Sequence, residues 1–260
     1  MRLAELHGEL WGVGASDWVD VQQRTIRPAS LAVLDELGPW RGGSLLDIGC
    51  GEGDFTNLAS CRGATVTGLD ACPALVEVAQ KKTPSGNFEV GDMEHLPFPD
   101  SVFSVVTAFN CLHFAGEPAR AIAEAVRVMR PDGYLVLATW GPPNECDAIT
   151  YLLELGGLMP PEISTAATSL DASDPHALDI LVTNAGLALI GHRVVSCPWE
   201  YADLSTALRG LLSTGPAALA IKHAGRDRVS ATITESIEPY RRNDGSYLLE
   251  NTCHYLVVRH

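Results

Sequence analysis

Apolar residues in this chain follow two alternating rhythms. Short dense runs, Leu45-Leu46 with Ile48, Val66 to Leu69, Phe88 to Val90, Phe103 to Phe109 and Tyr134 to Thr139, are too brief for helices and read as strands. Between them the apolar positions widen to helical spacing: Phe55, Leu58 and Ala59; Leu75, Val76 and Ala79; Ile122, Val126 and Met129. Pro73 and Pro118 suit the first turns of two of these helices. Phe103 to Phe109 is nearly all apolar, as a central parallel strand covered on both faces must be. Strand and helix in alternation predict a parallel sheet with right-handed crossovers.

Outside this core the pattern loosens. Residues 1–43 read as peripheral helices, with Leu31, Leu34 and Leu37 on one face and Gly38 as a stop. Asp147 and Asp174-Pro175 look like helix starts, the second helix running through Leu178, Leu181 and Val182 to Gly186. His192 to Ser196 and Tyr247 to Val258 read as two more strands. Between them Leu204, Leu208, Leu211 and Leu212 share one helical face, and Val229, Ile233 and Ile237 another. The expected fold is α/β: a doubly wound, mostly parallel seven-stranded sheet with helices on both faces, N-terminal helices, and a helical cap near 202–242 inserted between the last two strands. It is expected to form a single domain over 1–260, with an N-terminal helical segment to 43, a ligand-binding half over 44–140 and a substrate-side half over 141–260.

The first run ends in Asp47-Ile48-Gly49-Cys50-Gly51-Glu52-Gly53, a tight turn whose missing side chains let a ligand approach the backbone. Phosphate-binding turns keep carboxylates away, because the helix N-terminus favours anions. Here Asp47, Glu52 and Asp54 flank the glycines, with no Lys or Arg between Arg41 and Arg62. That disfavours a pyrophosphate and welcomes positive charge. The dinucleotide fingerprint fails as well, since Asp54 stands where it needs glycine, which argues against a nicotinamide-dependent oxidoreductase. Asp70 closes the second run where an acid can take both ribose hydroxyls.

Taken with Gly68-Leu69-Asp70, the turn Asp47 to Gly53 resembles that of the class I, Rossmann-like S-adenosylmethionine-dependent methyltransferases of small-molecule type. So do Gly91-Asp92-Met93-Glu94-His95-Leu96-Pro97-Phe98 and the turn Arg130-Pro131-Asp132-Gly133. The resemblance implies that Asp47, Gly49, Cys50 and Gly51 face the amino-acid end of S-adenosylmethionine, Asp70 its ribose, Ala71, Asp92 and Met93 its adenine, and Phe109 or Asn110 its methionine moiety. It implies methyl transfer to an O, N or C nucleophile of a small organic acceptor, leaving S-adenosylhomocysteine. The alternative on the same fold is a reaction without methyl transfer, such as cyclisation or elimination.

Transfer from a sulfonium needs a general base only when the nucleophile must lose a proton. His113, just past the fourth strand, and His223 in the cap are the candidates, with His95 less favoured. Trp18, Trp140, Trp199, Tyr201, His113 and His223 are the candidate acceptor contacts: Trp140 is expected to end the fifth strand and Trp199 and Tyr201 the sixth, at the ligand edge of this topology, while Trp18 belongs with Trp11, Gln22, Gln23 and Arg24 to an aromatic and polar segment placed either to fold over the cofactor or to pack on the sheet edge.

Bulk properties narrow the partners. A net charge of −14 opposes nucleic-acid binding, which draws on clustered Lys and Arg. Glu5 and Glu9 interrupt the apolar N-terminus, and no run has the ~20 apolar residues of a membrane span, so a cytoplasmic enzyme, monomer or homodimer, is expected. The seven cysteines show neither Cys-x-x-Cys pairs nor metal-like spacing, and no metal is expected.

Overall fold

The computed structural model describes residues 2–38, 40, 42–159 and 177–259. Its strands are β1 (Ser44–Ile48), β2 (Thr65–Asp70), β3 (Asn87–Val90), β4 (Phe103–Phe109), β5 (Met129–Trp140), β6 (Ala188–Ser196), β7 (Trp199–Tyr201), β8 (Tyr247–Leu249) and β9 (Thr252–Arg259). Seven of them form one sheet in the order β3-β2-β1-β4-β5-β9-β6. Only β9 runs against its neighbours, so the sheet is parallel apart from that one strand. Winding reverses between β1 and β4, and there the carboxyl ends of the strands open a crevice.

Ten helices are described: α1 (Leu3–Val13), α2 (Arg27–Glu36), α3 (Asp54–Cys61), α4 (Pro73–Lys82), α5 (Pro118–Val128), α6 (Ile149–Gly157), α7 (Ala177–Asn184), α8 (Leu204–Leu212), α9 (Gly215–Ala224) and α10 (Arg226–Ile237), besides shorter turns. Alternate residues of β1 serve the two faces of the sheet. Leu46 and Ile48 pack with Ile122 and Ala125 of α5 and Val182 of α7; Leu45 packs with Val33 and Leu34 of α2 and Ala59 of α3. Helix α2 buries Ala29, Val33 and Leu34, while Leu31 is exposed, so its inner face is rotated from the one the leucine spacing predicts. The predicted turn at Arg130 to Gly133 lies within β5 as a bulge: Phe103 pairs Met129 and Val105 already pairs Tyr134.

The cap is larger than the sequence predicts. Helices α6, α8, α9 and α10 and the antiparallel β7–β8 pair share one core, built on Tyr151, Leu155, Leu211, Val229, Ile233 and Ile237. Trp199 and Tyr201 therefore do not end the sixth strand. Pro198, with no N–H to give to a ladder, separates them from β6, and they pair with β8 instead. Tyr247 to Val258 likewise divides, at Asn251, whose buried amide donates to the Leu249 carbonyl and accepts from the Ala148 N–H. The predicted helix start at Asp174-Pro175 lies outside the described residues. Among the described residues no helix is long and apolar enough to cross a membrane.

Candidate active site

A cavity of about 250 Å³ runs along the carboxyl edge of the sheet. One end is built by the glycine turn after β1 and by Asp70 and Ala71 after β2; the other reaches Phe109 at the end of β4, Trp140 at the end of β5, and Tyr151 and Trp199 of the cap. Two neighbouring strands lie ~4.8 Å apart, so the β1 and β5 ends are separated by the width of β4 on both sides, enough for two ligand groups side by side.

The three glycines of the turn all have left-handed φ angles, +70°, +54° and +77°, but serve different ends. A Cβ on Gly49 would stand 2.6 Å from Cβ of Cys111, and one on Gly53 2.8 Å from Cβ of Ala79, so both permit close packing. A Cβ on Gly51 would meet nothing within 4 Å. Gly51 lines the cavity with open space before it, where a ligand can lie on bare backbone.

Carboxylates surround this end, and the tertiary structure sorts them. Asp54 has Arg27 at 3.4 Å and Lys82 at 4.0 Å, and Lys82 is also 3.7 Å from Glu52. These cations come from outside the 41–62 stretch, so the turn is less uncompensated than its local sequence implies. Among the described residues Asp47 and Asp70 have only neutral hydrogen-bond partners. Thr107 Oγ1 donates to Asp47 at 2.7 Å; the Gly51 and Cys72 N–H groups donate to the two oxygens of Asp70, each at 2.8 Å. Burial pushes the Asp47 carboxyl up to about 7, against the Thr107 bond and helped by the charges of Asp70 and Glu52. Burial also raises Asp70, with the Cys72 and Gly51 bonds opposing it. A cationic ligand relieves both groups.

The N-terminal segment closes the cavity from above. Gly8 brings α1 so near Ala71 that a Cβ there would overlap the Ala71 carbonyl. His7 and Trp11, one helical turn apart, line the cavity, and Trp11 lies edge-on to Trp18 at 4.8 Å. A π-helical turn, Trp18–Gln22, then widens the backbone as it passes the glycine turn. Trp18 Nε1 donates to Glu52, and Gln22 Oε1 accepts from the Tyr201 hydroxyl, joining this segment to the sheet and to the cap. His7 Nε2, Gln23 Oε1, Asn110 Oδ1 and Trp199 Nε1 are buried without a hydrogen-bond partner, and all four residues line the cavity. Buried polar atoms left unpaired beside a cavity are the expected mark of a ligand site.

Comparison with known proteins agrees with this geometry. Residues 46–137 match the model of the methyltransferase domain family. Over that stretch the chain is similar to a methyltransferase domain. A malonyl-[acyl-carrier protein] O-methyltransferase of Serratia marcescens is 28% identical over 191 residues, 72% of this chain and 68% of that one. A 27-O-demethylrifamycin SV methyltransferase of Amycolatopsis mediterranei is 34% identical over 146 residues, 52% of this chain and 54% of that one. The chain thus spans about half to two thirds of the length of these relatives. Among solved structures the [4+2]-cyclase SpnF shares the fold, with a TM-score of 0.56 at 20% identity over 89% of this chain and 80% of that one.

The cavity gathers most of the residues singled out from sequence: Asp47, Gly49, Cys50, Gly51, Asp70, Ala71, Met93, Phe109, Asn110 and His113, with Trp18, Trp140 and Trp199. Asp92 stands in a side crevice of about 40 Å³ beside Ala71 and Met93, where its Oδ1 accepts from the Glu94 N–H and so also caps a turn. Tyr201 is buried in the cap, bonded to Gln22, and does not line the cavity. His223 is exposed on α9 and is not among the lining residues. His95 is also outside, 3.5 Å from Asp92. His113 is in place with its ring on Phe114, centroids 4.1 Å apart, but burial and the neighbouring His7 push its pKa down to about 4. Sequence reasoning missed His7 and Tyr151; the i, i+4 spacing of His7 and Trp11 was the available signal for the first.

Proposed function

We propose that the protein uses S-adenosylmethionine to methylate a small organic acceptor. The observation that carries this reading is the pair of carboxylates beside the open face of Gly51, Asp47 buried and Asp70 half-buried, bonded among the described residues only to neutral donors. That site fits a nucleoside with positive charge and no phosphate. Asp47 and the Gly49–Gly51 backbone would hold the amino-acid end, Asp70 the ribose, and Ala71 and Met93 the adenine, with Asp92 at its edge in the adjoining crevice. His7 Nε2, unpaired above Ala71, would take a polar atom of the nucleoside. Phe109 and Asn110 would lie against the methionine moiety; Asn110 has a left-handed φ of +48°, a conformation non-glycine residues adopt rarely and often at functional sites.

When bound, this cofactor supplies a methyl group already activated on a sulfonium. The chain's own task is then to align the acceptor and exclude water, a service worth about 7–11 kcal/mol. His113 is neutral at pH 7 and only weakly basic, so it acts chiefly as a wall. A cytoplasmic setting is in keeping with the seven free cysteines.

The test is incubation of the purified protein with methyl-labelled S-adenosylmethionine and a cell extract. Label is expected on a small molecule. Label found only on RNA or protein removes the small acceptor from the reading. Complete substrate turnover with the cofactor unchanged replaces methyl transfer by the cyclisation or elimination alternative.

A further inference from the structure

The cavity changes character along its length. The end lined by Ile26, Phe109, Trp140, Tyr151, Leu152 and Trp199 offers aromatic and aliphatic walls, in contrast to the carboxylates beside the glycine turn. Trp140 and Trp199 meet edge to face with centroids 5.2 Å apart, so two flat walls stand at a steep angle. No Lys or Arg lines the cavity among the described residues, and the stretch 160–176 contains neither. With a net charge of −14 on the whole chain, an anionic acceptor meets repulsion on approach and no counter-charge on arrival.

Trp199 adds a specific demand. It is 4% exposed, and its indole N–H is buried without a partner. That group is a donor only, so what satisfies it is an oxygen or other acceptor atom on the ligand. Resting on the cofactor reading above, we propose that the methyl acceptor is an uncharged, flat ring compound whose carbonyl or ether oxygen is received by Trp199 Nε1. The same wall rejects carboxylate acceptors of similar size. A site built to hydrogen-bond one substrate oxygen discriminates strongly against analogues that lack it.

The test uses three matched ligands, 6-acetyl-2-naphthol, 6-hydroxy-2-naphthoate and 6-ethyl-2-naphthol, titrated by calorimetry into the full chain saturated with S-adenosylhomocysteine. The ketone is expected to bind at least tenfold more tightly than the carboxylate and than the ethyl compound. Trp199→Phe, which keeps an aromatic wall and removes the N–H, should weaken the ketone about tenfold. Retained S-adenosylhomocysteine affinity in that variant shows that it is folded. Carboxylate binding as tight as the ketone's, failure of all three ligands to bind, or undiminished ketone affinity in folded Trp199→Phe overturns the proposal and leaves the cofactor reading standing. Failure of the wild-type chain to bind S-adenosylhomocysteine overturns the cofactor reading, and the acceptor assignment with it.

Discussion

Trp18 Nε1 donates to Glu52 Oε2 at 2.9 Å across 34 residues of chain. The bond fastens the π-helical turn of the N-terminal segment to the middle of the glycine turn, and it gives the buried Glu52 carboxylate a neutral donor to complement Lys82 at 3.7 Å. The N-terminal segment is thereby part of the site's wall.

Trp18→Phe keeps a ring and deletes that donor. A hydrogen bond to a charged, buried group contributes about 1.5–3 kcal/mol, so the variant should lose stability on that scale in urea denaturation. It should also bind S-adenosylhomocysteine more weakly, because the wall beside the turn loosens. Unchanged values for both would show the bond to be incidental.

Asp47 predicts a proton linkage. Its pKa is raised to about 7 in the fold, above the ordinary ~3.9 that it regains on unfolding. Between those values the folded state holds the extra proton, so this group's contribution to stability is present at low pH and declines as pH rises towards 7. A cationic ligand favours the ionised form. Cofactor binding at pH 6 should therefore release a proton, seen by calorimetry in buffers of different ionisation enthalpy, and affinity should rise with pH up to about 7. Asp47→Asn should remove the proton release, weaken binding, and stabilise the cofactor-free protein above pH 7.

Gly51→Ala and Gly49→Ala should part company. Both incur a left-handed backbone cost of about 1–2 kcal/mol. The methyl added at position 51 enters open cavity and should reduce cofactor affinity more than tenfold with a modest fall in melting temperature. The methyl added at position 49 would collide with Cys111 and should show its main effect on stability. Calorimetry and thermal denaturation on the two variants separate the roles.

His113→Gln should leave kcat within about tenfold of wild type, since a histidine titrating near 4 is a weak base, and the pH–rate profile should show no inflection between 6 and 7 from this group. A loss of 10²- to 10⁴-fold would instead make it the general base.

The sheet, the glycine turn and the acidic end of the cavity were legible along the chain, because each rests on local signals: apolar runs of strand length, glycines at alternate positions, and acids at the strand ends. The aromatic end was not. Trp199 and Tyr201 are two residues apart on one short strand, yet one lines the cavity and the other is buried in the cap, a difference set by pairing with β8. His113 and His223 look equally eligible in sequence; one is enclosed beside His7 and the other faces solvent. Arg27 and Lys82, distant in the chain, neutralise acids that the local sequence leaves bare. Periodicity and turn chemistry depend on neighbours a few residues away and can be read in order. Burial, charge pairing and the walls of a pocket depend on residues that only packing brings together, and those decided which side chains meet a ligand.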